Sequence, residues 1–180
     1  KTDAAADKVL NSHSTANVIY ALWLSPDGVY KMSQEIKGMV QTSLNLGTAY
    51  LDTDKLVYKY LIRSNTAAGK KLLLERVTTF AKHLSGKVVT MSDYPAWEYK
   101  SDSQLRKICV DSFTNVYGHE PEVTSIHAGL ECGILAGKMS GVDMISFGPT
   151  LESVHTPDEC MNVASVERTW EYLREILKSL

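Results

Sequence analysis

Apolar and polar positions divide the chain into two stretches with different grammars. Val40 to Leu51 alternates: Val40, Leu44, Leu46 and Tyr50 point one way, Gln41, Ser43 and Asn45 the other, the period of a half-buried strand. Leu56, Tyr58, Tyr60 and Ile62 repeat the pattern against Lys55 and Lys59, and the short Asp52-Thr53-Asp54 link predicts a hairpin. Asn65 or Thr66 then caps a helix with Leu73, Val77, Phe80 and Leu84 at helical spacing,. Gly86 ends it, and Lys87 to Met91 reads as a returning strand. Upstream, Asp3 and an alanine run predict a helix over residues 3–23 that buries Leu10, Val18, Ile19 and Leu22, with a break near Ser12 to Ser14,. Pro26-Asp27-Gly28 ends that helix, and Val29 to Met32 makes a short strand,. Strand, strand, helix, strand is an α+β layer with a helix on one sheet face.

The second stretch alternates helix and strand. Ser101 to Ser103 offers caps for a helix with Leu105, Ile108, Cys109, Phe113 and Val116 inward, and Gly118 to Pro121 breaks it. Val123 to His127 reads as a strand, Gly129 to Lys138 as a short helix and Met144 to Phe147 as a buried strand. The last helix, from Val163 to Lys178, places Val166, Trp170, Leu173 and Leu177 on one face. That alternation predicts a parallel or mixed α/β sheet. The boundary falls near Tyr94-Pro95-Ala96-Trp97, giving units 1–97 and 98–180. A unit of about 80 residues buries a marginal share of its surface, so the second is expected to need more chain or a partner.

Bulk properties exclude several classes. Of the 180 residues, 44% are apolar and 22% charged, with a net charge of −2. These values fit a globular cytoplasmic protein and give no electrostatic case for nucleic acid or an anionic membrane. No apolar run reaches the roughly 20 residues that span a bilayer. Cys109, Cys132 and Cys160 form an odd set without a CxxC pair, which favours reduced, buried thiols in a cytoplasmic protein over a disulfide framework. The opening KTDAAADK lacks Met and any signal-peptide pattern,, and reads as a chain entered partway through.

Candidate chemistry gathers between Ile126 and Met161. His127 and Glu131 follow one predicted strand, and His155 and Asp158 follow the next. Ligands of open α/β sheets bind outside such strand ends. The loop holding His155 is stiffened by Gly148-Pro149 and Pro157,, as a metal ligand requires. Judged by pattern alone, the plain alternatives lead: a surface histidine at 155, a core histidine at 127, helix-start electrostatics at Glu131 and a solvated cationic face for Arg63 beside Lys59 and Lys55. Cys132 as a thiol nucleophile lacks an identifiable orienting Asn or Asp. A non-catalytic module that binds a small ligand or dimerises through an edge strand also accommodates the first unit.

HAGLECG, followed by DMISFGPTLESVHTPDE and ASVERTWEYL, closely resembles the C-terminal end of the bacterial aminoacyl-histidine dipeptidases, also called Xaa-His dipeptidase or peptidase D. The similarity extends through SPDGVYKMS, VQTSLNLGTAYL and LIRSNTAAGK. These enzymes belong to the co-catalytic zinc peptidase superfamily. The resemblance implies that residues 1–97 form the later part of an α+β lid or dimerisation-type domain, and that 98–180 close an α/β catalytic domain bearing two zinc ions. It also implies hydrolysis of Xaa-His dipeptides, with His155 as a zinc ligand, Arg63 on the substrate carboxylate, and Gly129 and Glu131 lining the cleft. The general base and the other metal ligands would lie upstream of Lys1, in an N-terminal catalytic segment that acts as this chain's partner. The 180 residues alone are then expected to be inactive. Lys55 departs from the Asn that relatives often carry near the hairpin turn. A homodimer is the remaining expected partnership.

Overall fold

The computed structural model describes residues 8–125 and 131–180. The chain divides into two compact units, Lys1–Ala96 and Trp97–Leu180.

The first unit is a three-stranded antiparallel sheet covered by a helix. Strands β1 (Gly28–Met32), β2 (Val40–Asp52) and β3 (Lys55–Ser64) pair in the order β1-β2-β3. The β2–β3 hairpin forms as its alternation predicts, with Leu44 opposite Ile62 and Leu46 opposite Tyr60. Helix α2 (Ala67–His83) is capped by the Thr66 hydroxyl, which accepts from the N–H of Gly69. Its apolar stripe lies on the sheet, where Leu44, Leu73 and Val77 form the buried centre, ringed by Tyr30, Tyr60, Ile62 and Val88. Leu73 is fully enclosed, and burying a leucine side chain contributes roughly 1.5–3 kcal/mol.

Three expectations for this unit are corrected. Helix α1 (Ser12–Leu24) begins after Asn11, whose side chain accepts from Ser14 N–H at 2.8 Å. The serines expected to break a longer helix therefore start this one; residues 1–7 lie outside the described part. Only Ala21 of α1 is buried, and Leu10, Ile19 and Leu22 are exposed. Second, Lys87 to Met91 joins no sheet among the described residues. Val88 leans on the core while Val89 and Met91 stay exposed, so the alternation is kept without a strand to pair with. The layer is strand, strand, strand, helix. Third, the register shifts between Leu46 and Thr48. This bulge at Gly47 reverses the side-chain phase beyond it. Tyr50 consequently moves to the face opposite α2, where the Lys59 ammonium lies 5.3 Å from its ring centroid.

In the second unit, α3 (Gln104–Tyr117) packs on α5 (Val163–Ser179). The Ser103 hydroxyl caps α3 at Arg106 N–H, and Gly118 ends it in the left-handed conformation at φ 75°, which glycine adopts without steric cost. Cys109, Tyr172 and Ile176 are the buried centre, with Leu105, Ile108, Phe113, Tyr117 and Ile145 against them. The Tyr172 ring stands edge-on to Phe113 at 5.3 Å, and its hydroxyl donates to the Cys109 carbonyl at 2.9 Å. That choice of partner selects the inward face of α5. Ser165, Tyr172 and Ile176 are buried, whereas Val166, Trp170 and Leu177 of the expected stripe are exposed. Val116 is likewise exposed on α3.

The expected parallel sheet is not formed among the described residues. Met144 to Phe147 runs without a ladder, with Ile145 on the core and Phe147 4.8 Å from Tyr172. The short helix α4 (Glu131–Lys138) follows the undescribed residues 126–130. The strands present are β4 (Leu151–Glu152) and β5 (Cys160–Met161), paired antiparallel.

Replacing Leu73 by Ala leaves a cavity between α2 and the hairpin. Urea unfolding is expected to show a loss of about 2–5 kcal/mol. Replacing exposed Leu72 by Ala is expected to change stability by no more than about 0.5 kcal/mol.

Candidate functional site

The β4–β5 hairpin presents His155. Its base is tied to the start of α5: Ser165 Oγ accepts from Thr150 N–H at 2.8 Å, and Asn162 N–H donates to the Thr150 carbonyl at 3.0 Å. Within the loop, the Thr156 hydroxyl donates to the Ser153 carbonyl at 2.7 Å, and Glu159 N–H donates to the Thr156 carbonyl at 3.1 Å. His155 N–H donates to Glu159 Oε2 at 2.7 Å. Ser153 and His155 both adopt positive φ, 52° and 66°, which non-glycine residues hold only where surrounding bonds impose it. The loop is thus stiff, as its prolines suggested. The His155 side chain is exposed, and among the described residues its ring has no hydrogen-bond partner.

Glu131 is exposed at the start of α4. Gly129 and His127, expected beside it, lie outside the described residues. Asp158 is exposed in the His155 loop. Cys132 is half-buried as the second residue of α4. Of the three thiols expected to be buried only Cys109 is, and Cys160 is exposed; burial pushes the Cys109 pKa up, which keeps it protonated and unreactive.

Arg63 sits near the end of β3, opposite Ser43 of β2. Strand alternation puts it on the same face as Lys59 and Leu61, away from α2, and it is exposed there. Because of the bulge at Gly47, this open face also holds Tyr50. An isolated glycine within an alternating run was the available signal for that change.

The donors present define the chemistry the chain can support. Among the described residues no group of three or more His, Cys, Asp or Glu side chains could hold a metal ion. A catalytic zinc takes three protein ligands. The imidazole of His155 is a donor type that zinc accepts, and the carboxylate beside it, that of Glu159, is engaged by the His155 N–H.

Asp143 was missed by the sequence reading. Its carboxylate accepts from the Ser103 hydroxyl at 2.8 Å and Leu105 N–H at 3.1 Å, with Lys100 Nζ at 3.9 Å. Burial pushes this carboxyl upward. The N–H of Leu105, the Ser103 hydroxyl, the Lys100 ammonium and the N–H of Met144 outweigh it and hold the group below its ordinary pKa. Asp143 thereby ties the segment before Met144 to the start of α3. A contact spanning about forty residues leaves no periodic trace in the sequence.

Comparison with known proteins places this geometry in context. The sequence model of Peptidase family M20/M25/M40 matches residues 11–179. The cytosol non-specific dipeptidase of Escherichia coli (strain K12) is 32% identical over 177 residues, covering 98% of this chain and 36% of that protein. The crystal structure of aminoacylhistidine dipeptidase from Vibrio alginolyticus superposes with a TM-score of 0.89 at 33% identity, over 98% of this chain and 36% of that one. Aminopeptidase PepT from Bacillus cereus ATCC 10987, at 18% identity and a TM-score of 0.60, covers 91% of this chain and 44% of its own, a likeness of fold alone. The chain therefore spans about a third of the length of the two dipeptidases, and corresponds to a C-terminal part.

The Asp143 contacts make a pH-dependent contribution that can be measured. Asp143→Asn is expected to destabilise the second unit by about 1–2 kcal/mol at neutral pH in urea unfolding. Because the folded pKa is depressed, that stability is present above the unfolded value of about 3.9 and is lost as pH falls through the folded one. Wild type and variant should converge in acid.

Proposed function

The chain belongs to peptidase family M20/M25/M40, and from that premise we propose that it is the lid-and-closing portion of a cytosolic, zinc-dependent dipeptidase acting on Xaa-His dipeptides. The observation that carries this reading is agreement in sequence and fold with two dipeptidases across 98% of the chain. In this reading residues 1–97 are the later part of a lid domain, and 98–180 complete a catalytic α/β domain whose remaining part is the N-terminal segment of the longer protein. Three features of the second unit support such completion. Val142 to Phe147 forms no ladder among the described residues, and its backbone groups could be satisfied by strand pairing with further chain. Exposed Trp170 and Leu177 leave an apolar face on α5. The buried centre is small, with three residues at its heart.

Each residue then has a defined task. His155 supplies one imidazole nitrogen to a metal ion, and the clamp from its own N–H to Glu159 fixes where that nitrogen is offered. Arg63 binds the dipeptide's terminal carboxylate through two parallel N–H donors, a geometry guanidinium favours. Glu131 and Gly129 belong to a loop that lines the substrate cleft. The other metal ligands and the general base belong to the N-terminal segment. When bound, zinc lowers the pKa of a coordinated water and polarises the peptide carbonyl. A chain holding one ligand neither retains zinc nor hydrolyses peptides.

Calorimetric titration of the 180-residue chain with zinc is therefore expected to show no sub-micromolar site. In the longer enzyme, His155→Ala should lower metal content and reduce kcat/KM at least about a hundredfold, since it removes one of a minimal ligand set. Tight zinc binding by the isolated chain, or full metal content in the variant, would overturn the reading.

A further inference from the structure

Gly69 stands in the first turn of α2, although glycine is a poor helix former. Three hydroxyl oxygens explain it. A Cβ at this position would lie 2.5 Å from Thr42 Oγ1, 2.6 Å from Ser64 Oγ and 2.9 Å from Thr66 Oγ1. A side chain here would force these hydroxyls to shift.

These hydroxyls form a chain across the junction between sheet and helix. Thr42, buried on β2, meets Ser64 Oγ at 2.9 Å, and Ser64 Oγ lies 3.3 Å from Thr66 Oγ1. Ser64 Oγ also accepts from Thr66 N–H at 3.2 Å, and Thr66 Oγ1 accepts from Gly69 N–H at 3.2 Å. One residue beyond the last ladder pair, Asn65 N–H donates to the Gln41 carbonyl at 3.1 Å. The end of β3 is thus held from the neighbouring strand and from the helix that follows.

Arg63 immediately precedes this fastening. Adjacent strand residues face opposite sides, so holding Ser64 beneath α2 commits Arg63 to the open face. We propose that the Thr42–Ser64–Thr66 hydroxyl chain, closed against Gly69, is a positioning latch that aims Arg63 at the free carboxylate of a dipeptide substrate. The proposal rests on the reading of Arg63 given above and adds residues that never touch substrate. A long arginine side chain loses rotamer freedom when it binds. A rigid backbone beneath it prevents further loss, and that benefit reaches only ligands bearing the carboxylate. Ser64 alone could be read as a strand-end hydroxyl. The close approach at Gly69 is what shows that helix and sheet are drawn together around it.

The test uses the full-length enzyme and two ligands, an Xaa-His dipeptide and its C-terminal amide, compared by KM, or by Ki where the amide is not turned over. Arg63→Ala should raise KM for the acid about tenfold or more and leave the amide within about twofold. Thr42→Val and Ser64→Ala, which remove links of the latch, should raise KM for the acid about three- to tenfold with kcat within about twofold and the amide unchanged. Thr42→Ser keeps the hydroxyl and should behave as wild type. Should Thr42→Val and Ser64→Ala weaken acid and amide equally, or neither, while Arg63→Ala still separates them, the latch is refuted and the Arg63 reading stands. If Arg63→Ala itself does not separate acid from amide, both fall together.

Discussion

Leu73 pressed onto Leu44 is the contact from which the first unit takes its meaning. A strand has two faces, and the helix that covers one leaves the other open. With Leu44, Tyr60 and Ile62 beneath α2, alternation sends Lys59, Leu61 and Arg63 the opposite way. A one-residue slip in either strand would invert that assignment. The enclosed leucine pair sets a strong penalty on such a slip, because it would exchange buried carbon for charge. Where Arg63 is presented is thus decided by apolar packing on the far side of the sheet. Hydroxyl contacts at the strand end hold the same direction at Ser64, next to Arg63.

The second unit uses different means to a similar end. Its hairpin loop carries His155 at a positive φ, with the Thr156 hydroxyl and the Glu159 carboxylate occupied by backbone N–H and C=O groups. Two further bonds fasten the hairpin's base to α5. That helix is in turn fixed by the Tyr172 ring and hydroxyl against α3. Burial pushes the Tyr172 hydroxyl pKa well up, and the neighbouring Cys109 adds to this, so this donor stays protonated throughout ordinary conditions. A continuous set of contacts therefore runs from a buried aromatic to an exposed imidazole.

The chain belongs to a peptidase family and spans about a third of the length of the two dipeptidases it matches. A guanidinium and an imidazole can orient and ligate. Activating water requires further donors that the described residues do not assemble.

Local chemistry in the sequence determined the hairpin, the caps at Thr66 and Ser103, the stop at Gly118 and the stiffness around His155, because each depends on residues within a few positions of one another. His155, Arg63 and Glu131 were legible as candidates through motif resemblance, which carries chemical roles that periodicity cannot. Tertiary structure alone decided which stripe of α5 turned inward, since the helix offers two apolar faces and α3 accepts the one bearing Tyr172. It decided that Lys87 to Met91 and Met144 to Phe147 form no ladder among the described residues, because a strand is defined by a neighbour and alternation records only a face. It flipped Tyr50 at the Gly47 bulge and brought Asp143 to the start of α3. In each case the deciding partner is distant in the chain, and a pattern confined to neighbouring residues has no access to it.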